Sequence, residues 1–288
     1  MRSKFKAINI LIIITALMMT MLLLISCNDK QETYNIPILL YHHLSDDVEE
    51  SGTVLSTSKF EHQISMLKAN GYTAVTFDDI IAFVEEGKAL PQKAVIITFD
   101  DGYTSNYEYG YPILKKYGFK ATIFAIGSSI GKAKYKDTDY DMYPHFGKSE
   151  IEEMEESGVI DIQSHTFDMH QWAPYETGDY IRENMLPLNN ESEEEYRATV
   201  KADVAMQDKT FADCNLPKSY ILAFPRGEYT NLTSDILVSC GYKVTVTTMD
   251  QNINTIKVND SSSLINLGRM NISSTTTDQM ILDYCAME

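Results

Sequence analysis

The chain has 288 residues, 44% of them apolar, with 24 Lys and Arg against 41 Asp and Glu and a formal charge of −17. That apolar share over that length supplies a full core and excludes a disordered chain. The acidic balance and the lack of any basic cluster exclude nucleic acid as a partner, since phosphate binding requires such a patch; the acidity serves solubility instead.

The first 27 residues form a leader that does not belong to the fold. Arg2, Lys4 and Lys6 precede an almost unbroken apolar run from Ile8 to Ile25, which stops at Leu24-Ile25-Ser26-Cys27. This resembles a bacterial lipoprotein signal, with Cys27 lipidated as the new N-terminus, followed by polar Asn28-Asp29-Lys30. An uncleaved transmembrane anchor is the other reading, because the run is close to the roughly 18 residues that span a bilayer. Either way the remainder is expected outside the cytoplasm and held to the bacterial membrane, residues 28–35 being a short tether and 36–288 one domain.

Along that domain, strand-like runs alternate with amphipathic stretches. Ile36 to Tyr41 reads as a buried strand. A helix then opens with Ser58-x-x-Glu61, a capping box, puts Phe60, Ile64 and Leu67 on one face and stops at Asn70-Gly71. The pattern continues with a strand Thr73–Thr76, a helix to Glu86, a strand Ala94–Phe99, a helix to Tyr117 closed by Gly118, and a strand Ala121–Ile126. After these come a helix Ser149–Glu156 stopped by Gly158, a strand Val159–Gln163, a long helix from Glu193 to about Phe211 and a strand Tyr220–Phe224. A helix Ser234–Cys240, strands at Tyr242–Thr247 and near Leu264–Met270, and a terminal helix complete the series. Such alternation predicts a parallel sheet with helical crossovers, and seven or eight strands in one domain favour a distorted, TIM-like (β/α) barrel. Residues 132–146 and 172–190 break the rhythm and read as long loops over one end. Cys214, Cys240 and Cys285 show no CxxC spacing, so a Cys214–Cys240 disulfide and buried free thiols both remain open.

In a parallel barrel, reactive side chains sit just past the C-terminal ends of the strands. Val95-Ile96-Ile97-Thr98-Phe99 runs into Asp100-Asp101-Gly102; Val159-Ile160-Asp161-Ile162-Gln163-Ser164 runs into His165, with His170 five residues on; Leu39-Leu40-Tyr41 runs into His42-His43. Alone, Asp-Asp-Gly is a solvated turn and a His pair a loop feature. Together at strand ends, two His and a carboxylate can close three positions of a divalent metal and leave others open. The neighbouring carboxylate is then free to serve as general base. His62 on a helix and His145 in a loop are expected to be solvated.

Thr98-Phe99-Asp100-Asp101-Gly102-Tyr103 resembles the first motif of the polysaccharide deacetylases, the NodB-like domain of carbohydrate esterase family 4. Ser164-His165-Thr166-Phe167-Asp168-Met169-His170 is similar to their second motif, and Phe224-Pro225-Arg226-Gly227-Glu228-Tyr229 to the third, so the likeness runs from about Pro37 to Met270. The resemblance implies that Asp101, His165 and His170 hold the metal and that Asp100 is the base. It places Phe224, Pro225, Arg226 and Gly227 along an acetate groove, a backbone amide there facing the oxyanion. Two departures stand out: the His residues are five apart rather than four, and Leu267-Gly268-Arg269-Met270 lacks the usual late His. Both resemble the poly-N-acetylglucosamine deacetylase type, in which the acid His follows a Tyr near the N-terminus. Tyr41-His42 matches, making His42 the candidate acid and His43 its neighbour. Arg269 is expected either to orient Asp100 or to form a surface salt bridge. Tyr103 is expected to line the substrate, and Trp172 and Tyr175 either stack on a sugar face or pack locally.

The reading is therefore a monomeric, metal-dependent hydrolase that removes N-acetyl groups from N-acetylglucosamine-containing polysaccharide, biofilm exopolysaccharide or peptidoglycan. Zinc is the expected ion, with Co2+, Ni2+ or Fe2+ also compatible with the donor set. An O-acetyl esterase acting on a polymer such as acetylxylan and a non-catalytic carbohydrate-binding lipoprotein are the alternatives.

Overall fold

The structure, a computed structural model, describes residues 32–176, 180–248 and 253–287. The leader, its Cys27 and the first part of the tether lie outside them. Among the described residues no helix is long and apolar enough to cross a membrane, and Cys214, Cys240 and Cys285 are free thiols.

Pro37, which has no N–H to give a ladder, divides the first predicted strand in two: β1 (Thr33–Ile36) and β2 (Ile38–Tyr41). The short strands β3 (His43–Leu44) and β4 (Val54–Leu55) follow, then β5 (Thr73–Ala74), β6 (Ala94–Phe99), β7 (Ala121–Ala125) and β8 (Ile160–Ser164). The later strands are β9 (Ile221–Ala223), β10 (Val244–Val246), β11 (Asn254–Lys257) and β12 (Met270–Asn271). Seven form one curled parallel sheet in the order β10-β9-β8-β7-β6-β2-β12, with β5 also on β6. β6, β7, β9 and β10 are buried at every position, as strands covered on both faces must be.

The segment leading into β12 touches both ends of the sheet. Leu267 bridges to Val246 of β10, while Met270 and Asn271 pair with Leu39 and Leu40 of β2. The strand expected at Leu264–Met270 thus begins later, because Ser261–Leu264 is a 3-10 turn. Asn254 of β11 donates to the Gly268 carbonyl and accepts from its N–H, which fixes the chain one residue before Arg269. β1 pairs antiparallel with β11 from Thr33, so the packed unit, Thr33–Glu288, reaches into the stretch predicted as tether.

Helices α1 (Thr57–Ala69), α2 (Phe77–Glu86), α3 (Tyr111–Tyr117), α4 (Lys148–Glu156), α5 (Glu193–Asp213), α6 (Asn231–Ser239) and α7 (Asp278–Cys285) flank the sheet. α1 buries Phe60, Ile64 and Leu67 as predicted, but no capping box forms at Ser58. The helix starts two residues earlier, with Ser56 at the N-cap, and Glu61 reaches Lys116 and Tyr117 on a neighbouring helix instead. True capping boxes occur at Thr76/Asp79 and Ser192/Glu195, each satisfying first-turn N–H groups that the helix itself leaves open.

Candidate functional site

Strand pairing brings the predicted residues together. Tyr41 of β2 pairs with Phe99 of β6, so His42 and Asp100 leave the sheet side by side. Ser164 of β8 pairs with Ala125 of β7 and with Leu222 of β9, which sets His165 between the first and third motifs. The turns after β6, β8 and β9 each hold a non-glycine residue in the left-handed region: Asp101 (φ 75°), Thr166 (φ 70°) and Arg226 (φ 57°). Such strain persists only where surrounding contacts impose it. Gly102, at φ 84°, sits where a side chain would be strained, and a Cβ there would press on Ala125 at 3.2 Å.

Asp101 Oδ1 lies 3.6 Å from His165 Nε2 and 3.7 Å from His170 Nε2. These gaps are too long for hydrogen bonds and suit two bonds of about 2.0–2.2 Å meeting on a shared ion. Asp101 Oδ1 is buried with no hydrogen-bond partner, and ligand atoms of the three residues lie within 4.8 Å of one another. His165 Nδ1 is 2.9 Å from the Ala223 carbonyl, which takes a ring N–H and turns a bare Nε2 toward Asp101. The donor set fits a divalent cation. Burial lowers the His170 pKa to about 4, so its ring is neutral at neutral pH and able to act as a ligand.

Asp100 has opposite surroundings. Arg269 Nη1 and Nη2 donate to its two oxygens, each at 2.7 Å, with the Arg269 side chain wholly buried. Arg269 also donates to the Thr247 carbonyl and to Thr98 Oγ1, and its guanidinium lies over the Phe124 ring. This is no surface salt bridge. Burial raises the Asp100 pKa, but the Arg269 guanidinium, by its charge and its hydrogen bonds, outweighs it and holds the carboxyl down at about 2. His42 is partly buried, and burial lowers its pKa against the opposing pull of Asp101 and Asp100. Its carbonyl accepts from Asn106 Nδ2 at 2.7 Å, in a widened π turn (Asn106–Gly110) just before α3. His43 instead faces Ser105 Oγ and stacks on Tyr143.

Several expectations need correction. His145 is not solvated: it is buried, packs on the Tyr103 ring at 5.0 Å, and burial lowers its pKa to about 4. The Tyr103–His145 bridge, with Thr104 N–H on the Pro144 carbonyl, folds the 132–146 loop back over the first motif. No sequence period signals that return. Phe224 and Pro225 are buried, Phe224 stacking on Tyr229 in the core, so their side chains do not face a groove. Arg226 is exposed and paired with Glu183 across to the 172–190 loop. Gly227, at φ 71°, lies so close to Thr248 that a Cβ would be 2.1 Å from its Oγ1. Trp172 is 59% exposed and stacks with Tyr175, which stacks in turn on Tyr140 at 4.3 Å. His62 is exposed and paired with Asp278, as its helix position predicts.

A curled parallel sheet that carries an Asp-His-His cluster and an arginine-clamped carboxylate at its strand ends has the build of a hydrolase. The chain belongs to the polysaccharide deacetylase family, whose model matches residues 87–245. YxkH of Bacillus subtilis is 34% identical over 215 residues, covering 74% of this chain and 64% of that protein. A poly-beta-1,6-N-acetyl-D-glucosamine N-deacetylase of Staphylococcus aureus is 30% identical over 203 residues, covering 70% and 63%. The chain thus spans just under two thirds of the length of these relatives. In fold it is similar to a de-N-acetylase from Aggregatibacter actinomycetemcomitans (TM-score 0.70, 24% identity, 87% of this chain and 100% of that one) and to IcaB from Ammonifex degensii (TM-score 0.68, 23% identity, 88% and 97%).

Proposed function

We propose that this chain is a metal-dependent hydrolase that removes N-acetyl groups from a polymer containing N-acetylglucosamine. One observation carries the reading most directly: Asp101 Oδ1 is buried and unpartnered, faces two imidazole nitrogens, and adjoins a carboxylate held by Arg269. Family membership and the naming of a relative for poly-N-acetylglucosamine support the substrate class. Asp101, His165 and His170 would hold the ion, with zinc the first choice for this donor set. Such an ion supplies Lewis-acid charge to an acetyl carbonyl and acidity to water.

The protein's own groups do the rest. Asp100, fixed by Arg269 at both oxygens, takes a proton from the attacking water. A backbone N–H in the Phe224–Gly227 turn faces the developing oxyanion, the contribution open to that segment since Phe224 and Pro225 are themselves buried. His42, which leaves β2 beside Asp100, delivers a proton to the leaving amine. Tyr103 and Trp172 flank the sugar. We also propose that the enzyme lies outside the cytoplasm on a lipid at Cys27, a reading supported by the leader, and that it acts as a monomer.

The test is acetate release from poly-N-acetylglucosamine, peptidoglycan and acetylxylan, with and without chelator. Release from an N-acetylated polymer that stops on chelation and returns with zinc is the expected result. Release from acetylxylan alone would make the protein an O-acetyl esterase, and glycan binding with no release from any polymer would overturn the hydrolase reading.

A further inference from the structure

His165 and His170 are separated by four residues that must form a tight loop for both rings to reach Asp101. Two of the loop's carbonyl groups are taken by the turn after β7: Gly127 N–H donates to Thr166 O at 3.0 Å and Ser128 N–H to Phe167 O at 2.9 Å. Within the loop, Met169 N–H bonds Thr166 Oγ1. The next two N–H groups, of Phe167 and Asp168, point away from the sheet toward α5. There a single side chain meets both: Asp203 Oδ2 accepts from Phe167 N and Oδ1 from Asp168 N, each at 2.8 Å. One turn further along α5, Gln207 Nε2 reaches the Ala125 carbonyl, the same oxygen that accepts His165 N–H. Asp203 and Gln207 are four residues apart and so share a helix face. In a helix whose other inward positions are Tyr196, Val200, Val204 and Phe211, these two polar residues serve the strand end and loop that carry the His pair.

We infer that Asp203 is a positioning residue for the metal ligands: by holding the Phe167 and Asp168 amides with one carboxylate, it sets the placement of His170 relative to His165. The inference rests on the proposed metal site and goes beyond it by naming a group outside the donor set. Carboxylate–amide bonds of this kind are charge-assisted, and they help hold Asp203 ionised, since burial pushes its pKa up to about 6 despite both amides. Neutralising the side chain or removing it leaves one or both N–H groups without that acceptor. The loop keeps its cross-links to Gly127 and Ser128 but loses its restraint on the α5 side, and His170, three residues beyond Phe167, moves relative to His165.

The experiment measures zinc affinity of the full chain by competition with a chromophoric chelator, alongside thermal unfolding of the metal-free protein. Asp203→Ala should weaken zinc binding by about 10–100-fold, the range typical of groups that orient metal ligands. Asp203→Asn, which keeps one acceptor oxygen, should fall between it and the parent. Acetate release by both variants should recover at excess zinc, which a purely structural defect would not allow. Parent-like zinc affinity in either folded variant overturns the inference, and Asp203→Asn decides alone if Asp203→Ala does not fold. The binding assay contains no substrate. A parent that binds zinc but releases no acetate therefore counts against the deacetylase reading and not against this one.

Discussion

Asp100 and Asp101 are adjacent and both buried, yet they sit in two differently finished halves of the site. Around Asp100 the protein supplies every partner: two guanidinium nitrogens at 2.7 Å, themselves braced by Thr247 and Thr98. Around Asp101 it supplies an incomplete shell, an unpartnered Oδ1 facing two His nitrogens at 3.6 and 3.7 Å. A buried carboxylate oxygen without a partner is costly, so one half is complete in the polypeptide, whereas the other, on the proposed reading, is completed by a cation. Two identical residue types one peptide apart are thereby given different work.

The largest effects should separate the halves. Chelation acts on the Asp101 half and should abolish acetate release, with recovery on adding zinc. Asp100→Asn should lower release by about 10²–10⁴-fold, the span usual for a general base, while zinc affinity stays at the parent value. Loss of zinc binding in Asp100→Asn would show that the halves are not independent. Next in size is Arg269→Met, which leaves the Asp100 carboxylate buried without its counter-charge and should destabilise the fold by about 3–5 kcal/mol in urea unfolding. Adding Asp100→Asn to that variant should restore part of the loss, because the two residues form one unit; strict additivity would contradict the pairing.

Smaller effects test what surrounds the halves. Trp172 is the chain's one tryptophan. If it flanks the sugar, N-acetylglucosamine oligomers should change its fluorescence, and Trp172→Ala should raise KM several-fold with kcat intact, as expected for a stacking contact of about 0.5–1.5 kcal/mol. Glu155 on α4, which accepts from Ile162 N–H in β8, serves as a control remote from both carboxylates. Burial raises its pKa from 4.5 to about 7. The folded state therefore holds this proton more tightly than the unfolded chain, and stability contributed by the group is lost as pH rises through that interval. Glu155→Gln should raise the thermal midpoint above about pH 7 and leave it unchanged below about 4.5.

Much of the fold was readable because local signals agreed with it. The run Ala94–Phe99 is apolar throughout and forms a strand buried at every position, and α2 ends at Gly87 in the left-handed conformation that favours glycine. The positions of Asp100, Asp101, His165 and His170 followed from where strands end. What escaped were features made by distant partners. The capping box at Ser58 was a local pattern overruled by Glu61 finding Lys116. β1 and β11 pair across more than 200 residues, which no window along the chain detects. His145 looked like a loop residue because its loop's return over Tyr103 is a tertiary event. Asp203 carried no signal at all, as one acid in a charged helix acquires meaning only from the amides it meets.

The segment between Leu267 and Asn271 joins the sheet's two ends and carries Arg269, whose partner lies 169 residues earlier. During synthesis the chain emerges from its N-terminus, so Asp100, His165, His170 and the third motif leave the ribosome before the arginine that clamps Asp100. Until that late segment docks, Asp100 has no guanidinium to hold it and the sheet's edge strands β2 and β10 lack their last neighbour. Such edges are open to unwanted pairing, and non-local contacts of this separation form slowly. Formation of the Arg269–Asp100 pair and protection of both edges therefore become a single late event in folding, and a chain stalled short of residue 269 presents its first two motifs without a finished site.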